Sequence, residues 1–410
     1  MYGGLDVPNL LVCERCGREY ELLSRRVFCD CGGLLRVELR SLDVEVSWEL
    51  FRGRKFHVWR YRELIPVPKD AEIVTLYEGG TPLIRVANLG RPLRLTNLYV
   101  KFEGANPTGS FKDRGMTVAI TIAKYLGVKA VVCASTGNTS SSMAAYARRA
   151  GLKPILVVPK NGIAKGKMGQ GLLYGATVIE VEGGFDTAMK VIMELANDPN
   201  VYPLNSVNPW RIEGQKTVGY EIVDELGVPD WIVLPVGNAG NITSLWKGLK
   251  ELKVLGLIRK LPKVLAVQAE GASPIVKAFH NGSYVPESKV ETIASAIRIG
   301  SPVHWERALR VLNESRGYAL SVSDLEILNA QKDLARLEGL GVEPASAASI
   351  AGVKKAVDLG VIRGDEVVVA IATGHALKDP DVMLNYEVDR VVVADAEAAI
   401  KTIKKLVMSD

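Results

Sequence analysis

The strongest constraint on the fold is an alternation that runs from about residue 70 to the end of the chain. Short runs rich in β-branched residues alternate with amphipathic segments, and Gly or Pro stands at most junctions. This order predicts an α/β fold with twisted, mostly parallel sheets flanked by helices. The predicted strands are 98–102, 130–134, 154–158, 177–181, 231–236, 264–268, 367–372 and 388–393. The predicted helices include 112–125, 140–150, 185–196, 242–252 and 395–406, the last capped by Asp395.

Length and charge narrow the class of protein further. The chain has 410 residues, more than one average domain, so two lobes are expected. Residues 46–70 are rich in Arg and Pro, and this composition predicts a linker. The net charge of +5 is small and does not favour nucleic acid as a partner. No apolar run reaches the length of a membrane span and no signal-peptide pattern is seen, so a cytoplasmic protein is expected. The content of only four glutamines points to a thermophilic source.

One lysine occupies a chemically unusual place, where a turn-rich stretch leads into a predicted helix. Residues 106–109 (Asn-Pro-Thr-Gly) are typical of a turn, and Ser110 is expected to cap the helix, with Asp113 completing a capping box. Lys112 would then lie in the first turn, where free N–H groups and the helix dipole disfavour a positive charge. Such a place suits an amine whose pKa is lowered for nucleophilic work near neutral pH. A solvated surface lysine is the alternative interpretation.

Three further loops follow predicted strands, where open α/β sheets bind their ligands. Residues 134–142 carry six hydroxyl side chains around a Gly-Asn pair, more than one helix cap requires. Residues 235–241 (Pro-Val-Gly-Asn-Ala-Gly-Asn) place two glycines three apart before a helix, which suits a phosphate bound by backbone N–H groups. Residues 372–375 (Ala-Thr-Gly-His) present a hydroxyl at a strand end, within reach of a ring nitrogen. For each loop, a plain helix cap or tight turn is the alternative.

Four of the five cysteines fall within the first 31 residues. Cys13 and Cys16 form one knuckle, and Cys29 and Cys31 form a second that is one residue shorter than Cys-x-x-Cys. This spacing predicts a small zinc-ribbon-like module that holds a structural zinc ion, with two disulfides as the alternative. Cys133 lies in an apolar run and is predicted to belong to the core.

The lysine segment, residues 106–115 (Asn-Pro-Thr-Gly-Ser-Phe-Lys-Asp-Arg-Gly), resembles the cofactor-lysine motif of the threonine synthase family. This family belongs to the tryptophan synthase β-like pyridoxal-phosphate enzymes of fold type II. The resemblance covers most of the chain beyond about residue 78 and includes residues 135–139, 205–211, 237–241 and 372–374. Residues 205–217 best separate this family from related dehydratases and sulfhydrylases. The cysteine module is an addition to the family's minimal form.

The resemblance implies a two-lobed enzyme with bound pyridoxal 5′-phosphate. Lys112 would bind the cofactor aldehyde covalently and move the proton at the substrate Cα. Asn138 would bond the 3′-hydroxyl and Thr373 the pyridine nitrogen, which a hydroxyl partner leaves unprotonated. The cofactor phosphate would lie against Gly237, Asn238, Ala239, Gly240 and Asn241. The substrate would be held by Ser135, Thr139, Asn205, Ser206 and Arg211.

The implied activity is elimination of phosphate from O-phospho-L-homoserine and addition of water at Cβ, which gives L-threonine. The alternatives are a threonine dehydratase, a cysteate synthase, a cysteine or cystathionine synthase, and a non-catalytic sensor on the same fold. The base that acts on the water is not evident; the leaving phosphate is one candidate and His375 another. The expected domains are the cysteine module (1–45), a large cofactor-binding domain (46–105 and 206–410) and a small domain (106–205). The expected assembly is a homodimer.

Overall fold

The computed structural model describes residues 9–39, 45–160, 165–384, 386 and 390–408. Within these residues the strands form three sheets. The strands are β1 (Leu10–Cys13), β2 (Glu19–Glu21), β3 (Leu35–Glu38), β4 (Leu83–Arg85), β5 (Leu98–Phe102), β6 (Ala130–Cys133), β7 (Lys153–Pro159), β8 (Thr177–Val181), β9 (Val201–Pro203), β10 (Trp231–Pro235), β11 (Lys263–Ala269), β12 (Tyr318–Val322) and β13 (Val368–Ala372).

The helices lie mainly between these strands. They are α1 (Trp48–Arg52), α2 (Ala87–Gly90), α3 (Lys112–Tyr125), α4 (Asn138–Arg149), α5 (Lys165–Leu173), α6 (Phe185–Leu195), α7 (Pro209–Gln215), α8 (Thr217–Leu226), α9 (Gly240–Val254), α10 (Pro274–Asn281), α11 (Trp305–Glu314), α12 (Asp324–Glu338), α13 (Pro344–Asp358), α14 (Pro380–Met383) and α15 (Ala396–Met408). Among the described residues, no helix combines the length and apolar character that a membrane span requires.

Two of the sheets are predominantly parallel, as the sequence predicts. The larger has the order β12-β11-β10-β13-β5-β4, and only its edge strand β4 is antiparallel to its neighbour. The smaller has the order β8-β7-β6-β9 and is parallel throughout. All residues of β10 and β13 are buried, because helices cover both faces of the larger sheet. The α/β fold class is therefore confirmed.

The predicted elements agree with the structure in most places. Seven of the eight predicted strands are present to within one or two residues at each end. The eighth predicted strand, 388–393, is wrong for the residues that the structure describes, since residues 390–393 form no strand. Residues 388 and 389 lie outside the described residues. The terminal helix and its cap are confirmed, because Ala398 N donates to Asp395 Oδ1 at 2.8 Å. Cys133 is fully buried in the core, also as predicted.

Residues 46–70 form part of the core, so the predicted linker is wrong. Phe51 and Tyr61 are completely buried, and their rings make an edge-to-face contact with centroids 5.2 Å apart. The arginines that favoured a solvated segment are instead ion-paired: Arg60 bonds to the buried Asp224 at 2.9 Å. The Tyr61 hydroxyl donates to the same carboxylate at 3.0 Å. This segment therefore packs on α8, which carries Asp224.

Helices α3 and α7 approach so closely that only glycine fits at their contact. A Cβ placed on Gly214 would lie 1.8 Å from the carbonyl oxygen of Arg114. One on Gly115 would lie 2.9 Å from the carbonyl oxygen of Arg211. Because the two backbones touch, the start of α3, with Lys112, and the middle of α7 are held side by side.

A third, antiparallel sheet consists of β1, β2 and β3, with β1 in the centre. It carries the four N-terminal cysteines and is fastened to α9 and α11. The carboxylate of Glu14 pairs with Arg307 of α11 at 2.5 Å, and both side chains are largely buried. Lys247 of α9 donates to the carbonyl oxygen of Val37 at 2.8 Å. The module is thus anchored on the two helices through polar contacts.

Candidate active site

Residues far apart in the sequence line one cleft with about 680 Å³ of space between protein atoms. Of the residues predicted from the sequence, those that line it are Lys112, Asn138, Ser206, Arg211, Gly237, Asn238, Ala239, Gly240, Asn241 and Thr373. Ser135, Thr139 and Asn205 are not among its lining residues.

Lys112 is the first residue of α3, and the chain before it is fixed to the end of β13. Phe111 N donates to the carbonyl oxygen of Thr373 at 3.0 Å, and Ser110 forms a β-bridge with Gly374. Helix α3 therefore starts without a side-chain cap. The predicted cap at Ser110 is wrong, because the bridge holds its backbone and leaves its buried hydroxyl without a partner in the described chain.

Asp113 stabilises the turn before the helix instead of completing a capping box. Its carboxylate accepts hydrogen bonds from the backbone N (2.7 Å) and the hydroxyl (2.6 Å) of Thr108, and from the hydroxyl of Ser142 (2.5 Å). Burial raises the pKa of Asp113 to about 6, although these hydrogen bonds act in the opposite direction. The bond to Ser142 ties α4 to α3, so the two helices present their N-terminal residues to the same cleft.

The environment of Lys112 lowers the pKa of its amine to about 7. Burial is the main cause and the positive charge of Arg211 the second, while the carboxylate of Glu343 acts in the opposite direction. Within the described chain the amine has no hydrogen-bond partner, and it lies 4.2 Å from the centroid of the Phe111 ring. A large fraction of this lysine is therefore neutral at neutral pH, as a nucleophile or a base requires.

Arg211 is a buried cation for which the described residues provide no carboxylate. The residue is 2% exposed, and its guanidinium donates to the carbonyl oxygen of Leu204 at 3.2 Å but has no partner for Nε in the described chain. Burial lowers its pKa to about 10, so it remains charged at neutral pH. An unpaired buried charge is strongly destabilising, and a bound anion would relieve this cost. The part of the cleft that Arg211 lines is therefore suited to an anion.

The loop from Gly237 to Asn241 forms a second place for an anion. Ala239 adopts a left-handed conformation with φ of 62°, which turns the chain sharply into α9. Space at Gly237 is tight, because a Cβ there would lie 3.1 Å from Cα of Ile297. Both polar atoms of the Asn241 side chain are buried without partners in the described chain. Free N–H groups at the start of a fifteen-residue helix, together with this amide, suit a phosphate group.

Glu343 is a site residue that the sequence analysis missed. Both of its carboxylate oxygens accept hydrogen bonds from Asn138 Nδ2, at 2.9 and 3.1 Å. Burial raises the pKa of Glu343 to about 7, close to that of Lys112, with which it shares the cleft. The signal in the sequence was a carboxylate directly before Pro344 and a helix of small residues.

Thr373 lies at the end of β13, and a buried serine fixes its orientation. Its hydroxyl is 3.0 Å from that of Ser346, which in turn accepts a hydrogen bond from Gly374 N at 2.7 Å. Ser346 belongs to α13, so a helix behind the strand aims the threonine at the cleft. No local sequence signal points to Ser346, because it is one of several small residues in the first turns of α13.

The remaining predicted substrate residues lie behind the cleft or beside it. Asn205 uses its side-chain amide to pair with the backbone of Ala134, accepting at 3.0 Å and donating at 3.1 Å. Ser135 accepts a bond from Gly137 N at 3.3 Å, and Thr139 is half-buried in the first turn of α4. Asn205 therefore joins the two loops, whereas Ser135 and Thr139 stand next to Asn138.

Among the histidines, the structure brings His304 to the site. Its Nε2 lies 2.8 Å from the carbonyl oxygen of Ser206, a cleft residue. His375, the candidate from the sequence, instead accepts a bond from Leu377 N at 3.1 Å and caps a short 3₁₀ helix. No motif pointed to His304, because its partners are distant in the sequence.

A buried ionic network supports the start of α3. The guanidinium of Arg114 pairs with Glu103 and with Glu221, each at 2.6 Å, and Glu221 also pairs with Lys101 at 3.0 Å. All four side chains are fully buried. Burial opposes ionisation of Glu221, but the charges of Arg114 and Lys101 outweigh it and lower its pKa to about 2. The network therefore stays charged across the physiological pH range.

We expect Arg114→Met to destabilise the protein by about 3–5 kcal/mol, because it leaves two buried carboxylates without their main partner. The measurement is urea-induced unfolding followed by circular dichroism. The control is Lys160→Ala, which breaks the exposed pair with Glu182 and should change the free energy of unfolding by less than about 1 kcal/mol. Equal effects of the two substitutions would contradict the importance of the buried network.

The four N-terminal cysteines converge as a ligand cluster requires. The Sγ atoms of Cys13, Cys16, Cys29 and Cys31 all lie within 4.8 Å of one another, and three pairs are 3.5 Å apart. None of the chain's five cysteines, all of which the structure describes, forms a disulfide. Tetrahedral zinc with Zn–S bonds of about 2.3 Å places its sulfur atoms roughly 3.8 Å apart, so the donor set fits this metal.

Comparisons with known proteins agree with this geometry. Residues 74–374 match the family model described as "Pyridoxal-phosphate dependent enzyme". The threonine synthase of Methanocaldococcus jannaschii is 52% identical over 375 residues, which cover 90% of this chain and 93% of that protein. The threonine synthase of Methanosarcina acetivorans is 50% identical over 394 residues, 95% and 97% of the two chains. The crystal structure of Escherichia coli threonine synthase superposes with a TM-score of 0.73 at 17% sequence identity. The superposition covers 95% of this chain and 94% of that chain, which supports the fold.

The fold, the activated lysine and the two anion sites define a pyridoxal-phosphate dependent enzyme of fold type II. The cleft fits this cofactor, since the unpartnered Asn241 amide and the free N–H groups at the start of α9 suit a phosphate, and Lys112 lines the same cleft. At about 50% identity over nearly the whole chain, the protein belongs to the threonine synthase family and is a lyase.

Proposed function

We propose that the protein converts O-phospho-L-homoserine and water into L-threonine and phosphate in this cleft. The observation that carries the proposal is Arg211, a buried cation without a carboxylate partner among the described residues, which lines the same cleft as Lys112 and the 237–241 loop. The cofactor brings one phosphate, and a substrate with a second phosphate supplies the anion that Arg211 lacks. A substrate without this group would leave the guanidinium buried and unpaired.

The residues that would hold the cofactor are Lys112, Asn138, Thr373 and the 237–241 loop. When bound, pyridoxal phosphate supplies an electron sink that makes the protons on the substrate carbons acidic. Neutral Lys112 is placed to take the proton from Cα and to return protons during the reaction. Thr373 offers a hydroxyl and no charge, so it would hydrogen-bond to the ring nitrogen of the cofactor without favouring its protonation. Asn138 contacts Glu343, which keeps its amide oriented.

For the substrate, we assign the phosphate to Arg211 and Ser206, because both line the cleft. Arginine matches phosphate geometry with two parallel hydrogen bonds. Asn205 would act by holding the loops in place, since its amide is already bonded to Ala134. Ser135 and Thr139 do not line the cleft but lie beside Asn138, at or just before the N-terminus of α4; the free N–H groups of this segment are suited to the substrate carboxylate, and we assign the two hydroxyl residues to that group.

The test is incubation with O-phospho-L-homoserine while threonine and phosphate are measured together. We expect both products in equal amounts and negligible turnover of threonine or O-acetylserine. Turnover of threonine to an oxoacid, or of O-acetylserine with sulfide, without release of phosphate from phosphohomoserine would instead identify a dehydratase or a sulfhydrylase.

The pKa of Lys112 gives a testable pH dependence. Capture of pyridoxal phosphate by the cofactor-free protein needs the neutral amine, so its rate should rise with a midpoint near pH 7, the pKa of Lys112, and level off above about pH 8. Glu343→Gln removes the carboxylate that raises the Lys112 pKa, so the midpoint should move to lower pH. Stopped-flow measurements from pH 5 to 9 check both expectations. A midpoint near the usual lysine value, or a shift upward in the variant, would contradict them.

We propose that Cys13, Cys16, Cys29 and Cys31 bind one structural zinc ion. We expect metal analysis of the purified protein to find one zinc per chain, and Cys13→Ser to lose it. Chelation should also lower the melting temperature, since metal that binds only the folded protein stabilises it. A metal-free protein whose intact mass shows two disulfides would establish the alternative.

We also propose that the enzyme works as a homodimer in the cytoplasm, as the family resemblance implies. Large apolar side chains remain exposed on α15, at Ile400, Ile403 and Val407, and this stripe has the spacing of one helix face. Such a surface supports association with another subunit. Light scattering should give twice the chain mass of 44.4 kDa, and a monomer at micromolar concentration would refute the proposal.

A further inference from the structure

His304 is a buried side chain to which none of the roles above applies. Its Nε2 lies 2.8 Å from the carbonyl oxygen of Ser206, so Nε2 carries the proton and donates it. The other ring nitrogen, Nδ1, is then an unprotonated acceptor, and it is buried without a partner in the described chain. The imidazole is only 2% exposed, so solvent does not satisfy it.

The same residue also contacts the loop assigned to the cofactor phosphate. His304 N donates to the carbonyl oxygen of Asn238 at 3.2 Å, and Val303 N lies 3.4 Å from the Asn238 side-chain oxygen. The ring stands against the start of α9, since a Cβ on Gly240 would lie 3.8 Å from the imidazole Cδ2. His304 therefore bonds to both anion-binding segments, to one through its main chain and to the other through its side chain.

A neutral donor is required at this position. Burial lowers the pKa of His304 to about 3, and the charges of Arg307, Arg211 and Lys112 contribute in the same direction. An imidazolium would add a second buried cation to a place that already holds the charged Arg211. The neutral ring donates its hydrogen bond to Ser206 without that repulsion, and it does not exchange protons in the working pH range.

The residue itself is firmly held. Helix α11 starts directly after His304, and one turn further on Arg307 pairs with Glu14 of the cysteine module. Arg307 also donates to the carbonyl oxygen of Leu35 at 3.3 Å. The contacts of Arg307 with the cysteine module thus hold the N-terminus of α11 in place. A residue that positions others must itself be held rigidly.

We propose that His304 is a positioning residue that sets the distance between the cofactor-phosphate loop and the substrate-phosphate segment. The inference rests on the proposed function, because it assigns one phosphate to each segment. Loss of the Ser206 hydrogen bond removes the side-chain link between Ser206 and the 237–241 loop, while the contacts of Asn205 and α7 remain. Binding of both phosphates then weakens, whereas the chemistry at Lys112 is little changed.

The test compares His304→Phe and His304→Asn with His304→Gln. Phenylalanine keeps the ring but has no donor, and the asparagine amide is too short to reach Ser206, whereas glutamine restores a donor at about the length of Nε2. For the first two variants we expect KM for O-phospho-L-homoserine and Kd for pyridoxal phosphate to rise about tenfold, as for one lost hydrogen bond. We expect kcat to change less than about threefold and the glutamine variant to stay within about threefold of the wild type in all constants.

The matched control is His280→Phe, because His280 also places Nε2 against a backbone carbonyl, that of Ala319 at 2.9 Å, and lies outside the cleft. It should leave KM and Kd unchanged. The melting temperature of His304→Phe should change little, since the substitution also removes the unpartnered Nδ1. If that variant does not fold, the asparagine variant tests the same loss.

Unchanged KM and Kd in the phenylalanine and asparagine variants would overturn the proposal, as would a glutamine variant as impaired as they are. Failure of the proposed function is distinguishable, because it would appear in the wild-type protein as a lack of phosphate release. The Kd for pyridoxal phosphate, measured by fluorescence, needs no turnover and reports on cofactor binding apart from the reaction.

Discussion

Lys112→Ala should lower threonine formation by roughly 10⁴-fold or more, because proton transfer by a positioned base alone contributes up to about 10⁴. The variant loses the nucleophile and the base at once, since the described cleft has no second lysine among its lining residues. The protein should remain folded, because the substitution removes a charge that burial disfavours. The measurement is steady-state release of threonine and phosphate at saturating cofactor.

The matched control for this prediction is Lys124→Ala in the last turn of the same helix. Lys124 is about one-third exposed and pairs with Glu72 at 2.7 Å, away from the cleft. We expect full activity and a change in unfolding free energy below about 1 kcal/mol. Residual activity of Lys112→Ala above a few per cent of the wild type would contradict the assignment of the catalytic amine.

We expect Arg211→Met to lower the activity of the protein without lowering its stability. Removal of the guanidinium should lower kcat/KM for O-phospho-L-homoserine by about 10²–10³-fold, as expected when a buried partner of a charged group is lost. Cofactor binding should be retained, since its phosphate is assigned to the 237–241 loop. Without ligands the variant should be at least as stable as the wild type, because a buried, unpaired charge is replaced by an apolar side chain of similar length.

The control for Arg211 is Arg149→Met, an exposed arginine at the end of α4. It should alter neither kcat/KM nor the unfolding midpoint. If Arg211→Met kept full activity with O-phospho-L-homoserine, the substrate assignment would be wrong. If the variant lost the cofactor instead, Arg211 would belong to the cofactor phosphate site.

The parts of the fold that the sequence predicted are those with a local signal. Strands such as β5 and β8 are short apolar or alternating runs bounded by turn residues, and they were predicted to the residue. The segment around Phe51 and Tyr61 was misread, because its arginines look solvated unless the distant Asp224 is known. The short edge strand β4 and helices such as α7 have too few residues for a clear period.

The residues of the site divide in the same way, into those that have a local sequence signal and those that do not. Lys112, the 237–241 loop and Thr373 follow strands or begin helices, so turn chemistry revealed them. Glu343 and Asn138 are 205 positions apart, and no periodicity can report their contact. The cap at Ser110 failed for a related reason, because its bridge partner Gly374 comes from the other end of the chain. Contacts between distant parts of the chain, and not local propensity, determine the conformations and partners of these residues.

The most direct test of the central claim is reduction of the protein–cofactor bond with borohydride, followed by proteolysis and mass spectrometry. We expect the pyridoxyl group on a single peptide, attached to Lys112, and no labelled peptide from Lys112→Ala. Attachment to a different lysine, or a protein that takes up no cofactor, would contradict the assignment of this cleft as the active site.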